Sequence, residues 1–150
     1  MKSHRQLTML AFSIVLSFVL SVLFVKPSSA TIGLITKPDL TGSWQIALTG
    51  RTGCGLVSML VNVTLDWTAK GTNAVIKTHG ECGDSTVSAQ TFQVLTLISS
   101  TGSGTANLSC GPGCGWNFNI QVSPDRSIFN LVDVDPVNPG NYLGGMAIHQ

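Results

Sequence analysis

Charge is scarce in this chain. Only 10% of its 150 residues are Asp, Glu, Lys or Arg, eight basic against seven acidic. Nothing forms the basic stripe that a phosphate backbone demands, so nucleic acid is not expected as a partner. Histidine is rarer still, and beyond the first few residues only His79 and His149 are left for acid–base or metal chemistry. His79 lies near Glu81, but two residues along a strand and turn make no catalytic constellation, so both histidines read as surface residues. No G-x-S-x-G frame supplies a nucleophilic serine. No metal, cofactor or catalytic residue is therefore expected, and the chain reads as a non-enzyme. A helical period of 3.6 is also missing everywhere beyond the N-terminal segment.

Long apolar runs are confined to one place. Residues 7–25, LTMLAFSIVLSFVLSVLFV, carry no charge. They follow Lys2 and Arg5 and precede Ser28-Ser29-Ala30, with Ser28 and Ala30 at the −3 and −1 places of a cleavage site. Basic, apolar and small, in that order, is the pattern of a secretory signal peptide over residues 1–30. The alternative is an uncleaved anchor, because residues 7–25 could nearly span a bilayer. The expected location is the periplasm or the exterior, with membrane contact only if this segment is retained. Cleavage after Ala30 leaves five basic and seven acidic residues, a net charge of −2.

What is abundant after residue 40 is alternation. Residues 31–40, TIGLITKPDL, read as an N-terminal linker, and 41–150 as one β domain. Period two predicts strands over 43–49, 56–67, 73–79, 86–98, 104–110, 114–122, 127–134 and 142–149. On the second strand Val57, Met59, Val61, Val63, Leu65 and Trp67 share a face. The alternation slips near Phe92, where a bulge is expected. Between the strands lie GRTGCG, AKGTN, GECGDS, SSTGSG, GPG, SPDRS and DPVNPGN, each with tight-turn residues. Eight short strands joined by short turns predict an all-β, antiparallel, up-and-down barrel of eight strands after the signal helix, with a β-sandwich as the alternative. Closure also removes exposed sheet edges.

All four cysteines follow the signal segment: Cys54, Cys82, Cys110 and Cys114. An even count in an exported chain favours disulfides. The stretch SCGPGCGW at 109–116 is one residue longer between its cysteines than the redox-active Cys-Gly-Pro-Cys. A reactive pair also needs a helix N-terminus after a strand, whereas WNFNIQV continues as a strand. Pairing Cys110 with Cys114 sets Leu108 opposite Trp116, Ala106 opposite Phe118 and Gly104 opposite Ile120, apolar against apolar at almost every step. In an up-and-down barrel the odd-numbered turns share one end, so all four cysteines gather there. Two staples are expected, Cys54–Cys82 and Cys110–Cys114. A four-sulfur zinc site lacks its paired Cys-x-x-Cys spacing.

Asp133 and Asp135 are too few oxygens for calcium and read as blunting a strand end. Asn117, Asn119 and Gln121 alternate with apolar residues and are expected on a solvated outer face. Asn62 and Asn107 head glycosylation sequons, relevant only in a host that glycosylates exported proteins.

The stretch DLTGSW at 39–44 resembles the Gly-x-Trp start of the calycins, the lipocalin and avidin superfamily of eight-stranded up-and-down barrels. The resemblance rests on Gly42 and Trp44, and it implies a tryptophan plugging one barrel end. The last strand lacks the Arg or Lys that often packs on that Trp. Secreted bacterial metalloprotease inhibitors are similar, with a barrel, a Gly-x-Trp start and an N-terminal segment that enters the enzyme's cleft; residues 31–38 would be that segment here. The expected function is an exported, disulfide-stabilised binding protein for a small apolar or amphipathic ligand. The alternative is a protein-interaction module, such as a protease inhibitor or envelope component, acting through loops or the N-terminal arm. A barrel filled by its own side chains would count against the ligand carrier.

Overall fold

The computed structural model describes residues 33–111, 114–134 and 140–150. The expected signal segment 1–30, the Pro112 turn and Asp135 lie outside the described residues.

Eight strands follow one another: β1 (Gly42–Thr52), β2 (Gly55–Leu65), β3 (Lys70–Gly80), β4 (Ser85–Ile98), β5 (Ser103–Gly111), β6 (Cys114–Val122), β7 (Ile128–Asp133) and β8 (Tyr142–His149). Each pairs antiparallel with the next, and β8 returns to β1, from Trp44↔His149 to Arg51↔Tyr142. The barrel is closed and its strands leave no free edge. Alternation decides what faces in. Trp44, Ile46 and Leu48 of β1 are buried while Gln45, Ala47 and Thr49 are exposed, the half-buried pattern of a sheet with one apolar face. The same parity buries Met59 to Leu65, Ala106 and Leu108, Phe118 to Val122, and Phe129 and Leu131.

Closure requires strands to approach closely where they bend. Across the β1–β8 seam a Cβ on Gly145 would overlap the Ala47 carbonyl oxygen, so only glycine fits there. Gly144 has no such neighbour: its nearest atom would be the Leu131 oxygen at 3.7 Å.

The end of β2 differs from the alternation pattern. Trp67, expected on the inner face of β2, is 72% exposed. The strand stops at Leu65 because Asp66 turns the chain: its Oδ1 accepts from the Thr68 N–H at 2.8 Å, the Thr68 hydroxyl at 2.6 Å and the Lys70 N–H at 3.1 Å. A side chain that holds three local donors outcompetes one more ladder step. The slip expected near Phe92 is present. Phe92 keeps regular partners, Gly71 and Leu108, while the register shifts lie between Gly71 and Ile76 of β3 and between Val94 and Thr96 of β4.

The segment expected as a linker is docked from Ile35 onward. Ile35 and Leu40 are buried at 2% and 0% exposure, and the Ile35 N–H donates to Ser99 O at 2.8 Å. A short 3-10 helix, Lys37–Leu40, is capped by Thr36, whose N–H and hydroxyl donate to Asp39 at 2.7 and 2.8 Å. Lys37 reaches Leu95 O, and Arg126 reaches both Leu34 O and the Asp39 carboxylate.

Candidate functional site

The two barrel ends differ in kind. One is sealed. Trp44, 1% exposed, sits there with its indole N–H donating to Leu40 O at 2.8 Å. Its ring lies 4.8 Å from that of Phe129, and Phe129 lies 6.1 Å from Phe92. Rings from β1, β7 and β4 thus meet across the lumen, and with Phe118 they are among its largest fully buried side chains. Eight strands enclose an interior about wide enough for side chains to fill.

Gly42 has a physical reason to be glycine. Its φ is +131°, and a Cβ would occupy the place of the His149 imidazole. His149 is exposed, as read from the sequence, and lays its ring 4.9 Å from that of Trp44. It takes the place on the last strand where the resemblance led one to look for Arg or Lys. The signal that finds it is barrel closure: once β8 pairs with β1, Trp44 and His149 are register partners.

The other end carries the odd-numbered turns and both disulfides. Cys54 and Cys82 join the β1–β2 and β3–β4 turns, with Cα atoms 5.3 Å apart, and Cys110 joins Cys114 at 5.2 Å. No described cysteine is free. The β5–β6 register sets Leu108 opposite Trp116, Ala106 opposite Phe118 and Gly104 opposite Ile120, as the sequence predicts. At the tip it shifts by one: Gly111, not Cys110, stands opposite Cys114. Gly111 takes φ +120° there, a conformation open to glycine. Beside the longer disulfide, Glu81 Oε1 accepts from the Leu56 N–H at 3.0 Å, a second tie between the same two turns.

An outer groove of about 710 Å³ opens at this end, lined by Thr49, Leu56, Ser58, His79, Glu81 and Tyr142 among others. Ser58 and His79 are register partners, and His79 Nδ1 bonds Asp84 Oδ1 at 2.5 Å. The order Ser, His, Asp suggests a triad, but the geometry does not make one. Ser58 donates no hydrogen bond to His79 among those described, and the His79 and Asp84 side chains are 82% and 76% exposed. A hydrolytic site needs a nucleophile bonded to its base and a shielded oxyanion site. Among the described residues no three His, Cys, Asp or Glu side chains converge as metal ligands.

Asn117, Asn119 and Gln121 lie on the outer wall, exposed to solvent. The sequon residues have partners there: Asn62 accepts from Gln45 at 3.2 Å, and Asn107 donates to Asn117 at 3.0 Å. Asp133 ends β7 half-buried. Three carboxylates, all in turns or caps, are held below their ordinary value. Asp39 is lowered first by the Thr36 N–H, then by the Thr36 hydroxyl and more weakly by Arg126. Asp66 is lowered first by the Thr68 hydroxyl, and Asp125 first by that of Ser123 and then that of Ser127. These are fold-holding contacts at the sealed end and its turns, remote from the disulfides.

Compared with known proteins, the chain matches no family model and no curated protein.

Proposed function

We propose that this is an exported, calycin-like, disulfide-stabilised barrel that acts as a protein-interaction module, presenting the loop end that its two disulfides tie together. The observation that carries this reading is the ring contact across the lumen: Trp44 to Phe129 at 4.8 Å and Phe129 to Phe92 at 6.1 Å. Beyond that end, Leu48, Met59, Ile76, Leu108 and Phe118 are buried as well, which supports a lumen filled by side chains where a barrel carrier would hold its apolar ligand. Export is supported by the signal-like segment 1–30 and by cysteine pairs at bonding separation, which persist in an oxidising compartment. The module is non-enzymatic and needs no cofactor or metal. The N-terminal arm takes a smaller part than the inhibitor comparison implies, because Ile35 and Leu40 are occupied in sealing the barrel.

The small-ligand reading retains a foothold in the outer groove between Leu56 and Tyr142. Native mass spectrometry of the protein recovered from an exporting host separates the two. The module reading expects the bare mass of residues 31–150 with two disulfides. A small apolar molecule bound one per chain, and displaced by Leu56→Glu or Tyr142→Glu, would establish the carrier instead.

A further inference from the structure

The outer wall of the barrel is nearly free of charge. On β1, β7 and β8 the outward positions are Ser43, Gln45, Ala47, Thr49 and Arg51; Ile128, Asn130 and Val132; Tyr142, Gly144, Met146 and Ile148. Arg51, at the very tip, is the one ionised side chain among them. The apolar members are exposed far beyond what a solvated sheet requires: Val132 at 61%, Tyr142 at 58%, Met146 at 45%, Ile148 at 43% and Ile128 at 37%. They are also neighbours, not scattered. Ile128 pairs with Ile148 and Asn130 with Met146, while Ala47 lies beside Met146 on the other flank. Scattered exposed apolar residues are ordinary, but a contiguous patch marks a contact surface.

We infer that this β7–β8–β1 face is the interface of an isologous homodimer. Three features select a second copy of the chain over other occupants. First, apart from Arg51 at its tip the face has no charge by which to choose a charged partner, and none at its centre to repel itself. The net charge of residues 31–150 is only −2, so long-range repulsion between copies is weak. Second, the polar groups set into the patch are amides. Gln45 and Asn130 each carry donor and acceptor, so each can satisfy a copy of itself across a two-fold axis, as an isologous contact requires. The same amides make the face unfit for hydrocarbon. Third, the size fits. Three strands of about seven residues present on the order of 600 Å² of accessible surface. Two copies then bury roughly 1,200 Å², the lower edge of the standard interface class. That area is in the range of a reversible dimer, not an obligate one.

This inference goes beyond the loop-end reading and stands if that end meets no partner. Sedimentation velocity on the mature, disulfide-intact chain tests it, over concentrations from about 1 μM to about 1 mM. Reversible monomer–dimer exchange is expected. Met146→Lys and Ile148→Lys should each weaken it at least about 30-fold, because each buries a charge in the patch centre. Ser88→Lys, exposed on β4 across the barrel from the patch, should leave it unchanged. Near-ultraviolet circular dichroism shows that each variant is folded, and both wanted variants alter exposed side chains. Wild-type protein that stays monomeric throughout, a dimer indifferent to both patch variants, or open-ended oligomers that grow with concentration would each overturn the inference.

Discussion

Replacing Trp44 by alanine should destabilise the barrel by about 4–5 kcal/mol. The indole is 1% exposed, and a buried Trp removes ~200 Å² of largely apolar surface from water, worth ~5 kcal/mol at ~25 cal/mol per Å². That is an upper figure, since the unfolded chain already shelters some of this surface. Truncations of large aromatics cost about 3–5 kcal/mol, cavity included. The plug also donates to Leu40 O at 2.8 Å within the seal, and an orphaned buried carbonyl adds ~1–3 kcal/mol unless water enters the cavity to reach it. A second substitution divides these contributions. Trp44→Phe keeps most of the ring but loses the N–H, so its cost should be about 1–3 kcal/mol and arise chiefly at Leu40. The assay is guanidinium unfolding of the disulfide-intact chain followed by far-ultraviolet circular dichroism. Fluorescence is a poor probe here, because Trp67 and Trp116 contribute and Trp67 is 72% exposed. The slope with denaturant should stay constant while the midpoint falls. A loss below ~1 kcal/mol for Trp44→Ala, the range of surface substitutions, would refute the plug. A Trp44→Phe variant as stable as wild type would refute the role given to the Leu40 bond.

Other expectations follow from the same contacts. Replacing Cys54 and Cys82 by serine should cost ~3.5 kcal/mol and replacing Cys110 and Cys114 only ~2 kcal/mol on the chain-entropy argument, because the closed loops differ, 28 residues of separation against 4; equal losses in thermal unfolding would contradict it. Gly145→Ala should lower stability by roughly 1–3 kcal/mol by prising β8 from β1, whereas Gly144→Ala, with its nearest neighbour at 3.7 Å, should be nearly silent; a reversed order in denaturant titrations would mean the seam is misassigned. Asp39, Asp66 and Asp125 have folded values below their ordinary 3.8, so their contribution is complete above about pH 5 and is lost as pH falls through 3.8 and below. The triple Asn variant should therefore show a shallower acid decline than wild type, and an unchanged acid limb would assign that decline to other groups. Trp67→Ser should change stability by no more than ~0.5 kcal/mol, despite removing one of three tryptophans.

Strand number, antiparallel order and the β5–β6 register could be read along the chain because each rests on local chemistry. Period two sets which residues share a face, and turn residues every few positions set where the chain reverses. The parity of an up-and-down barrel then sends Cys54, Cys82, Cys110 and Cys114 to one end, with no knowledge of the packing. Gly42 and Trp44 could be singled out, although their reason could not. That reason is His149, more than a hundred residues away in sequence, which becomes the register partner of Trp44 only when β8 closes on β1. Trp67 shows the opposite limit: alternation carried it inward, but the Asp66 carboxylate captured three local donors and ended the strand two residues early. The segment around Ile35 looked like a tether because nothing near it in sequence covers it. Its hydrogen-bond partners are Ser99, Leu95 and Arg126, all distant in sequence. The apolar face of Ile128, Met146 and Ile148 was hidden for the same reason: Ile128 lies on β7 and Met146 and Ile148 on β8, and neither strand by itself shows that they are neighbours. Periodicity is a property of a strand and is written in sequence, whereas a seal, a seam and a patch are properties of strands that meet, and only closure of the barrel decides which ones do.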